Sequence, residues 1–240
     1  MLFPINIIKQ IVSCAYWADR LIRADLIEGI IVSENDYTSN FTGALRREIN
    51  ARAIPGLSAK IQVLNPSAER KLGADACVIL QNDREFKAGI FEAKWPRLST
   101  HVNTWDSKQK SSGESHFHSQ LQRQHMQRHY AAIWEMFYCE YPFGSHPSFF
   151  PSEGSACVWH DDAYGFSSSR PSNFVPWADD ELKELLVSHT LSIAEVFEAM
   201  CTCKQGKPIP NGRYDKVFGD MGAPHEALII QYSPDVNPKN

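Results

Sequence analysis

The amino-acid sequence predicts an α/β fold with a mixed central β-sheet flanked by helices. Two apolar, β-prone runs at residues 73–80 and 87–94 flank a polar break at 81–85, which is the pattern of a hairpin. Helical periodicity precedes and follows that pair, and further strand-like runs stand on either side of it. The 240 residues, 43% hydrophobic and 22% charged, suffice for one large core. They read as a single domain over 1–240, with an N-terminal helical segment at 1–32, a core at 33–162, and C-terminal helices with a strand at 163–240.

Residues 5–30 carry mixed apolar faces, Ile8, Ile11, Val12, Ala15, Leu21, Ile22 and Leu26 among them. They predict a helix that packs on the core or on a second subunit. Ser33 caps a second helix with Asp36 at its third position; Phe41, Leu45 and Ile49 mark the apolar side, and Pro55 with Gly56 stops it. Residues 59–64 alternate as a first strand, and 65–72 are polar, with Arg70 and Lys71 just before Gly73. The hairpin strands follow, and Trp95 and Pro96 end the second. Residues 97–115, rich in Ser and Lys, read as a mobile loop over the strand ends, in which Trp105 either stacks on a ligand or packs on the body.

Residues 116–138 read as one long helix. Its first half is rich in Gln, Arg and His, and its apolar end, Ile133, Trp134, Phe137 and Tyr138, docks on the sheet. After a loop at 139–154, residues 155–159 form a fourth core strand, with His160, Asp161 and Asp162 as a strand-end turn rather than a second metal site. Residues 163–178 are a Pro/Ser-rich connection, helices follow at 179–187 and 191–201, and a basic loop at 204–212 precedes a last strand at 227–232 and a polar tail.

Three charged residues break the pattern of buried strands: Asp75, Glu92 and Lys94. A charge in a strand core is costly unless it is paired or bound to a metal. Glu92 and Lys94 are two apart and project from the same face. Asp75 opens the partner strand, where the hairpin brings it near Glu92. Two carboxylates and an amine converge, either as a buried ion cluster or as a site for chemistry.

Asp followed seventeen residues on by Glu-X-Lys at a strand end resembles the pattern of the PD-(D/E)XK nuclease superfamily, over roughly residues 33–160. That group includes many restriction endonucleases, repair nucleases and phage-defence nucleases. Gly73 and Ala74, with no Pro, precede Asp75 here. The resemblance implies a restriction-endonuclease-like core and a Mg²⁺ ion, with Mn²⁺ as a substitute, held by Asp75, Glu92 and the backbone carbonyl of Ala93. It implies that Lys94 positions or activates the attacking water and offsets charge at the phosphate. An acidic residue of the preceding helix is implied to complete the metal site, with Glu34, Asp36 and Glu48 as candidates. Carboxylates at a helix start are also favoured by its dipole without any metal. A glutamine on the helix after Glu-X-Lys is implied as well, Gln120 first and Gln124 second. Arg97, Lys108, Lys110, Arg123 and Gln124 are the expected nucleic-acid contacts.

The net charge of −4 is unevenly spread. Residues 46–128 hold 14 Lys/Arg against 8 Asp/Glu, and the remainder 10 against 20, so the basic share surrounds the motif as a phosphate-binding face requires. Surface scatter is the plain alternative. Six cysteines without a CxxC pair, and no evident signal peptide, predict reduced thiols and a cytoplasmic protein. Cys201 and Cys203 lack a second ligand pair for zinc. His125 and His129, four apart, lack the Glu of a His-Glu-X-X-His motif and read as a phosphate-facing or solvated helix face. No apolar segment nears the roughly 18–20 residues of a membrane span. No ATPase, helicase or methyltransferase signature is present.

The expected function is a Mg²⁺-dependent DNA endonuclease of restriction or phage-defence type, a homodimer or higher oligomer, with any further activity supplied by partner subunits. The rivals are a catalytically inactive DNA-binding or assembly subunit, and an RNA-cleaving or nucleotide-activated effector.

Overall fold

The hairpin predicted around residues 81–85 forms. In the computed structural model of the chain, strand β2 (Ala76–Gln81) pairs antiparallel with β3 (Glu85–Lys94), Ala76 opposite Phe91 and Gln81 opposite Phe86. Asn82 makes the turn: its N–H donates to the Glu85 carbonyl, and its side-chain oxygen accepts from the N–H groups of Arg84 and Glu85. The structure describes residues 1–63, 75–213, 215–218 and 226–234. The predicted strand end at Leu64, the polar segment with Arg70 and Lys71, and the C-terminal tail beyond 234 lie outside them.

Strands β1 (Leu57–Val63), β4 (Ala132–Phe137), β5 (Ala156–Trp159), β6 (Ile209–Pro210) and β7 (Glu226–Tyr232) complete an open, mixed sheet. Its order is β1-β7-β2-β3-β4-β5, with the short β6 pairing with the start of β3. β7 runs antiparallel to β1 and parallel to β2, and β3 runs parallel to β4, so the chain's last described strand lies between its first two.

Helices cover both faces. On one side α1 (Ile5–Ile27), α2 (Glu34–Ala51) and α6 (Ile193–Cys201) pack on the sheet. Ile8, Ile11, Phe41, Leu45, Val196 and Met200 meet Val78, Phe91, Trp134 and Leu228 there. Phe91 stacks on Trp134 with ring centres 5.0 Å apart. Each fully buried aliphatic or Phe side chain contributes about 1.5–3 kcal/mol. Ser33 caps α2 as predicted, its Oγ accepting from the Asp36 N–H at 3.1 Å.

The opposite face carries two smaller apolar clusters. One joins Ile79, Ile90, Ile133 and Ile229 to Ile209 and to Val217 of the short α7 (Asp215–Phe218). The other joins Phe137 and Val158 to Phe117 and Leu121 of α3 (His116–His125), Ala163 of α4 (His160–Ser169), Trp177, and Leu182 and Leu185 of α5 (Asp179–His189). All six cysteines are free thiols, as predicted. Among the described residues no helix is long and apolar enough to cross a membrane.

Three expectations are corrected. The helix predicted at 116–138 ends at His125, and residues 132–137 are β4, paired on both edges. Residues 131–139 are all buried, and an apolar run of that length fits a doubly covered strand as well as a helix. Ile133, Trp134 and Phe137 therefore belong to the sheet, and His129 lies beyond α3 and shares no helical face with His125.

His160, Asp161 and Asp162 are not a strand-end turn. They begin α4, with both aspartates in the first turn where the helix dipole favours them, so the connection predicted at 163–178 starts only after Ser169. The loop at 97–115 is pinned rather than loose. Buried Asp106 accepts from the Ser115 hydroxyl and from the N–H groups of Phe117 and Trp177, and Trp105 packs edge-on against Phe117, Phe137 and Trp177.

Candidate active site

Strand alternation builds the site. Phe86, Ala88 and Ile90 of β3 belong to the second face, and the next residues in that phase are Glu92 and Lys94. On β2 the same face carries Cys77 and Ile79, and Asp75 continues it one step before the strand begins. Continuing the β2–β3 register by one residue sets Asp75 opposite Glu92. The Asp75 N–H donates to the Phe91 carbonyl at 2.9 Å, and its Oδ2 accepts from the Ala93 N–H at 2.8 Å. The predicted convergence is thus fixed by backbone pairing.

Glu92 is 1% exposed and Lys94 is 7% exposed. The Lys94 ammonium donates to Glu92 Oε1 at 2.6 Å, and Gln120 of α3 donates to the same oxygen through Nε2. Glu34, the first residue of α2, accepts from the Trp95 N–H at 2.7 Å and so ties that helix to the end of β3. Burial pushes the Glu92 carboxyl up to about 8; Lys94 opposes the shift, while Asp75 and Glu135 add to it. Burial works against the Lys94 charge, yet the carboxylates of Glu92, Glu34 and Asp75 outweigh it and hold the amine above its ordinary value. Burial, Lys94 and Arg123 keep the His116 imidazole below its ordinary value.

The other predicted residues divide. Glu48 is half-buried on α2, and its charge adds to the burial that pushes the Cys14 thiol of α1 up. Asp36 stays at the α2 cap, where its carbonyl accepts from Asn40. Arg97, Lys108 and Lys110 are exposed. The Arg97 guanidinium lies 4.2 Å from the Trp95 ring centre, in a cleft of about 330 Å³ that Glu34 also lines. Arg123 is half-buried and reaches Ser119 Oγ at 3.5 Å. Gln124 is not a surface contact. It is 1% exposed, and its Oε1 lies 3.2 Å from Nδ1 of His160, a residue that the sequence separates from it by 36 positions.

One residue of the neighbourhood escaped sequence reasoning. Glu135 of β4 is fully buried and is the register partner of Glu92 on the adjacent parallel strand, with its Oε1 3.2 Å from His160 Nδ1. A single carboxylate in the middle of a nine-residue apolar run was the available signal, and reading that run as a helix hid it.

The donor set fits a hard divalent ion. Asp75 and Glu92 supply oxygens, and Glu92 Oε2 is buried without a hydrogen-bond partner. Among the described residues no three His, Cys, Asp or Glu side chains form a ready-made cage, and Mg²⁺ commonly takes one or two carboxylates while keeping several waters. No protein-family model matches the chain, and no curated protein and no solved structure is significantly similar to it.

Proposed function

We propose that the chain is a Mg²⁺-dependent endonuclease that hydrolyses DNA phosphodiester bonds, with a core similar to that of the PD-(D/E)XK nucleases and a restriction or phage-defence role. One observation carries the reading: half-buried Asp75 and buried Glu92, Lys94 and Gln120 meet at one strand end. Such a cluster costs stability unless it serves chemistry. Asp75 and Glu92 would hold the ion, with the Ala93 carbonyl and Glu34 as the remaining protein oxygens and Mn²⁺ as a substitute metal. Bound there, the ion supplies positive charge at the phosphate and lowers the pKa of a coordinated water.

Lys94 keeps its proton because three carboxylates surround it, so its task is electrostatic: it offsets charge developing on the phosphate and orients the attacking water. A role as general base would require it to lose that proton near neutral pH. Gln120 fixes Glu92 in one orientation. Arg97, Lys108 and Lys110, exposed beyond β3, contact the DNA backbone, which makes binding weaken with salt.

The test is plasmid cleavage with Mg²⁺, with EDTA, and with the variants Glu92→Ala and Lys94→Ala. Metal-dependent cutting that both substitutions abolish supports the site. Discrete fragments identify a sequence-specific enzyme of the homodimeric restriction type, and a smear a general nuclease. Cutting that survives both substitutions removes the site. RNA cleavage without DNA cleavage changes the substrate, and a folded protein that cuts neither is a binding or assembly subunit.

A further inference from the structure

The cleft of about 330 Å³ beside Glu34 lies where three elements meet: the start of α2, the end of β3 and the loop at 97–115. Ser33, Glu34, Trp95, Arg97, Thr104 and Trp105 line it. Glu34 sets the cleft against the proposed active site, since its carboxylate accepts from the Trp95 N–H at 2.7 Å and its charge reaches the Lys94 ammonium. The volume is near the lower bound of small-ligand pockets, about 300 Å³.

Two indole rings from opposite faces of the sheet contribute walls. Trp95 packs on the large core, whereas Trp105 belongs to the cluster of Phe117, Phe137 and Trp177. The exposed Arg97 covers the Trp95 ring, its guanidinium 4.2 Å from the ring centre. A planar cation on an indole takes the place that a planar nucleobase takes on an aromatic platform. A phosphate group draws that guanidinium away, because a charge-assisted, bidentate pair is stronger than an exposed cation–π contact. The walls are held in place. Arg97 has left-handed backbone, φ 52°, and its carbonyl accepts from the N–H groups of Thr100 and His101 at 3.0 and 2.8 Å. Asn103, also left-handed at φ 55°, exchanges two hydrogen bonds with Asp179 of α5, at 2.9 and 2.8 Å. Residues other than glycine persist in this conformation only where their surroundings fix them, and they gather at ligand sites.

A base inside a duplex offers such a cleft only an edge, because its neighbours cover both faces. A base in a single strand, or turned out of a duplex, offers its faces. We propose that the cleft is a subsite for one unpaired nucleobase of the DNA strand, next to the phosphate under attack, stacked on Trp95 once Arg97 has moved to a phosphate. The protein therefore prefers single-stranded or mismatched DNA over continuous duplex. The Thr104 hydroxyl donates to the His101 carbonyl at 3.1 Å, which leaves its oxygen as an acceptor for an amino group on the base edge. The inference rests on the DNA reading given above, but its test measures binding without metal and does not use cleavage.

The experiment is binding of fluorescein-labelled oligonucleotides of one length to the full chain in EDTA, followed by fluorescence anisotropy. Three forms are compared: single-stranded, fully paired, and paired with one central mismatch. The single strand should bind about 10-fold more tightly than the duplex, the worth of one stacked base, although the duplex carries the denser phosphate charge. The mismatched duplex should fall between them. Thr104→Trp fills the cleft and should bring the single strand down to the affinity of the duplex, as should Trp95→Leu. If Trp95→Leu loses its near-ultraviolet circular dichroism, Thr104→Trp alone decides. A duplex bound as tightly as the single strand, or a single-strand preference that Thr104→Trp leaves in place, overturns the subsite and leaves the nuclease reading standing. Binding of no form by the folded protein overturns the DNA reading together with the subsite.

Discussion

The two faces of β3 answer to opposite demands. Phe91 and Ala93 point to the side covered by α1, α2 and α6, where they join an uninterrupted apolar cluster. Glu92 and Lys94, alternating with them, lie on the other side, where two apolar clusters leave a polar stretch between them. Along β4 the same division recurs: Trp134 and Met136 face the large core, while Glu135 sits between Ile133 of one small cluster and Phe137 of the other. The first face stores stability, since each buried large side chain is favourable. The second spends it, since a buried ion pair is often no better than an apolar replacement of the same shape. Substitutions on the two faces should therefore have opposite signatures.

The largest expected effect is on the polar face. Glu92→Gln should lower Mg²⁺-dependent cleavage by about 10³-fold while leaving the melting temperature near neutral pH unchanged, because an amide of the same size takes the place of a carboxyl whose charge burial disfavours. Parallel cleavage and thermal-melt measurements check both halves. The apolar counterpart is Trp134→Ala, which should cost about 3–5 kcal/mol in urea unfolding while the protein that stays folded cleaves at its normal rate.

A third difference lies in pH. Burial raises the Glu92 carboxyl to about 8 in the folded state, against an ordinary value of 4.5 in the unfolded chain. The unfolded state therefore binds fewer protons across that window. Stability of the metal-free protein should fall as pH rises through it, and that slope should vanish in Glu92→Gln. Urea midpoints at pH 5, 6.5 and 8 measure it.

Smaller effects sharpen the picture at its margins. Asp106→Ala removes the acceptor of three hydrogen bonds and should cost about 1–3 kcal/mol, with faster proteolysis of the loop at 97–115 and weaker DNA binding. Ser33→Ala removes the α2 cap and should cost about 1 kcal/mol, with only a modest loss of cleavage through the adjacent Glu34.

The parts of the site legible in the sequence were those set by local rules. A hairpin with alternating residues places Asp75, Glu92 and Lys94 together from spacing alone, and Ser33 names its own helix start. Gln120 was also anticipated, from the resemblance. The choice among Glu34, Asp36 and Glu48 was not legible, because it depends on how α2 is set against β3, a tertiary matter that the Glu34–Trp95 hydrogen bond reports. Gln124 was misassigned to the surface because His160, its partner, arrives from beyond two further strands. Glu135 and the whole of β4 were hidden by an apolar run whose length suits either a strand or a helix. The position of β7 between β1 and β2 joins residues far apart in the chain, which no local pattern encodes.

The measurement that tests the polar face most directly is cleavage of supercoiled plasmid by wild-type protein and by Glu92→Gln, at equal folded concentration, in Mg²⁺ and in EDTA. Nicked or linear DNA formed only by the wild type and only with Mg²⁺ is the predicted result. Equal cleavage by the two proteins, or cleavage unaffected by EDTA, would contradict it and leave Asp75, Glu92 and Lys94 as a buried ion cluster.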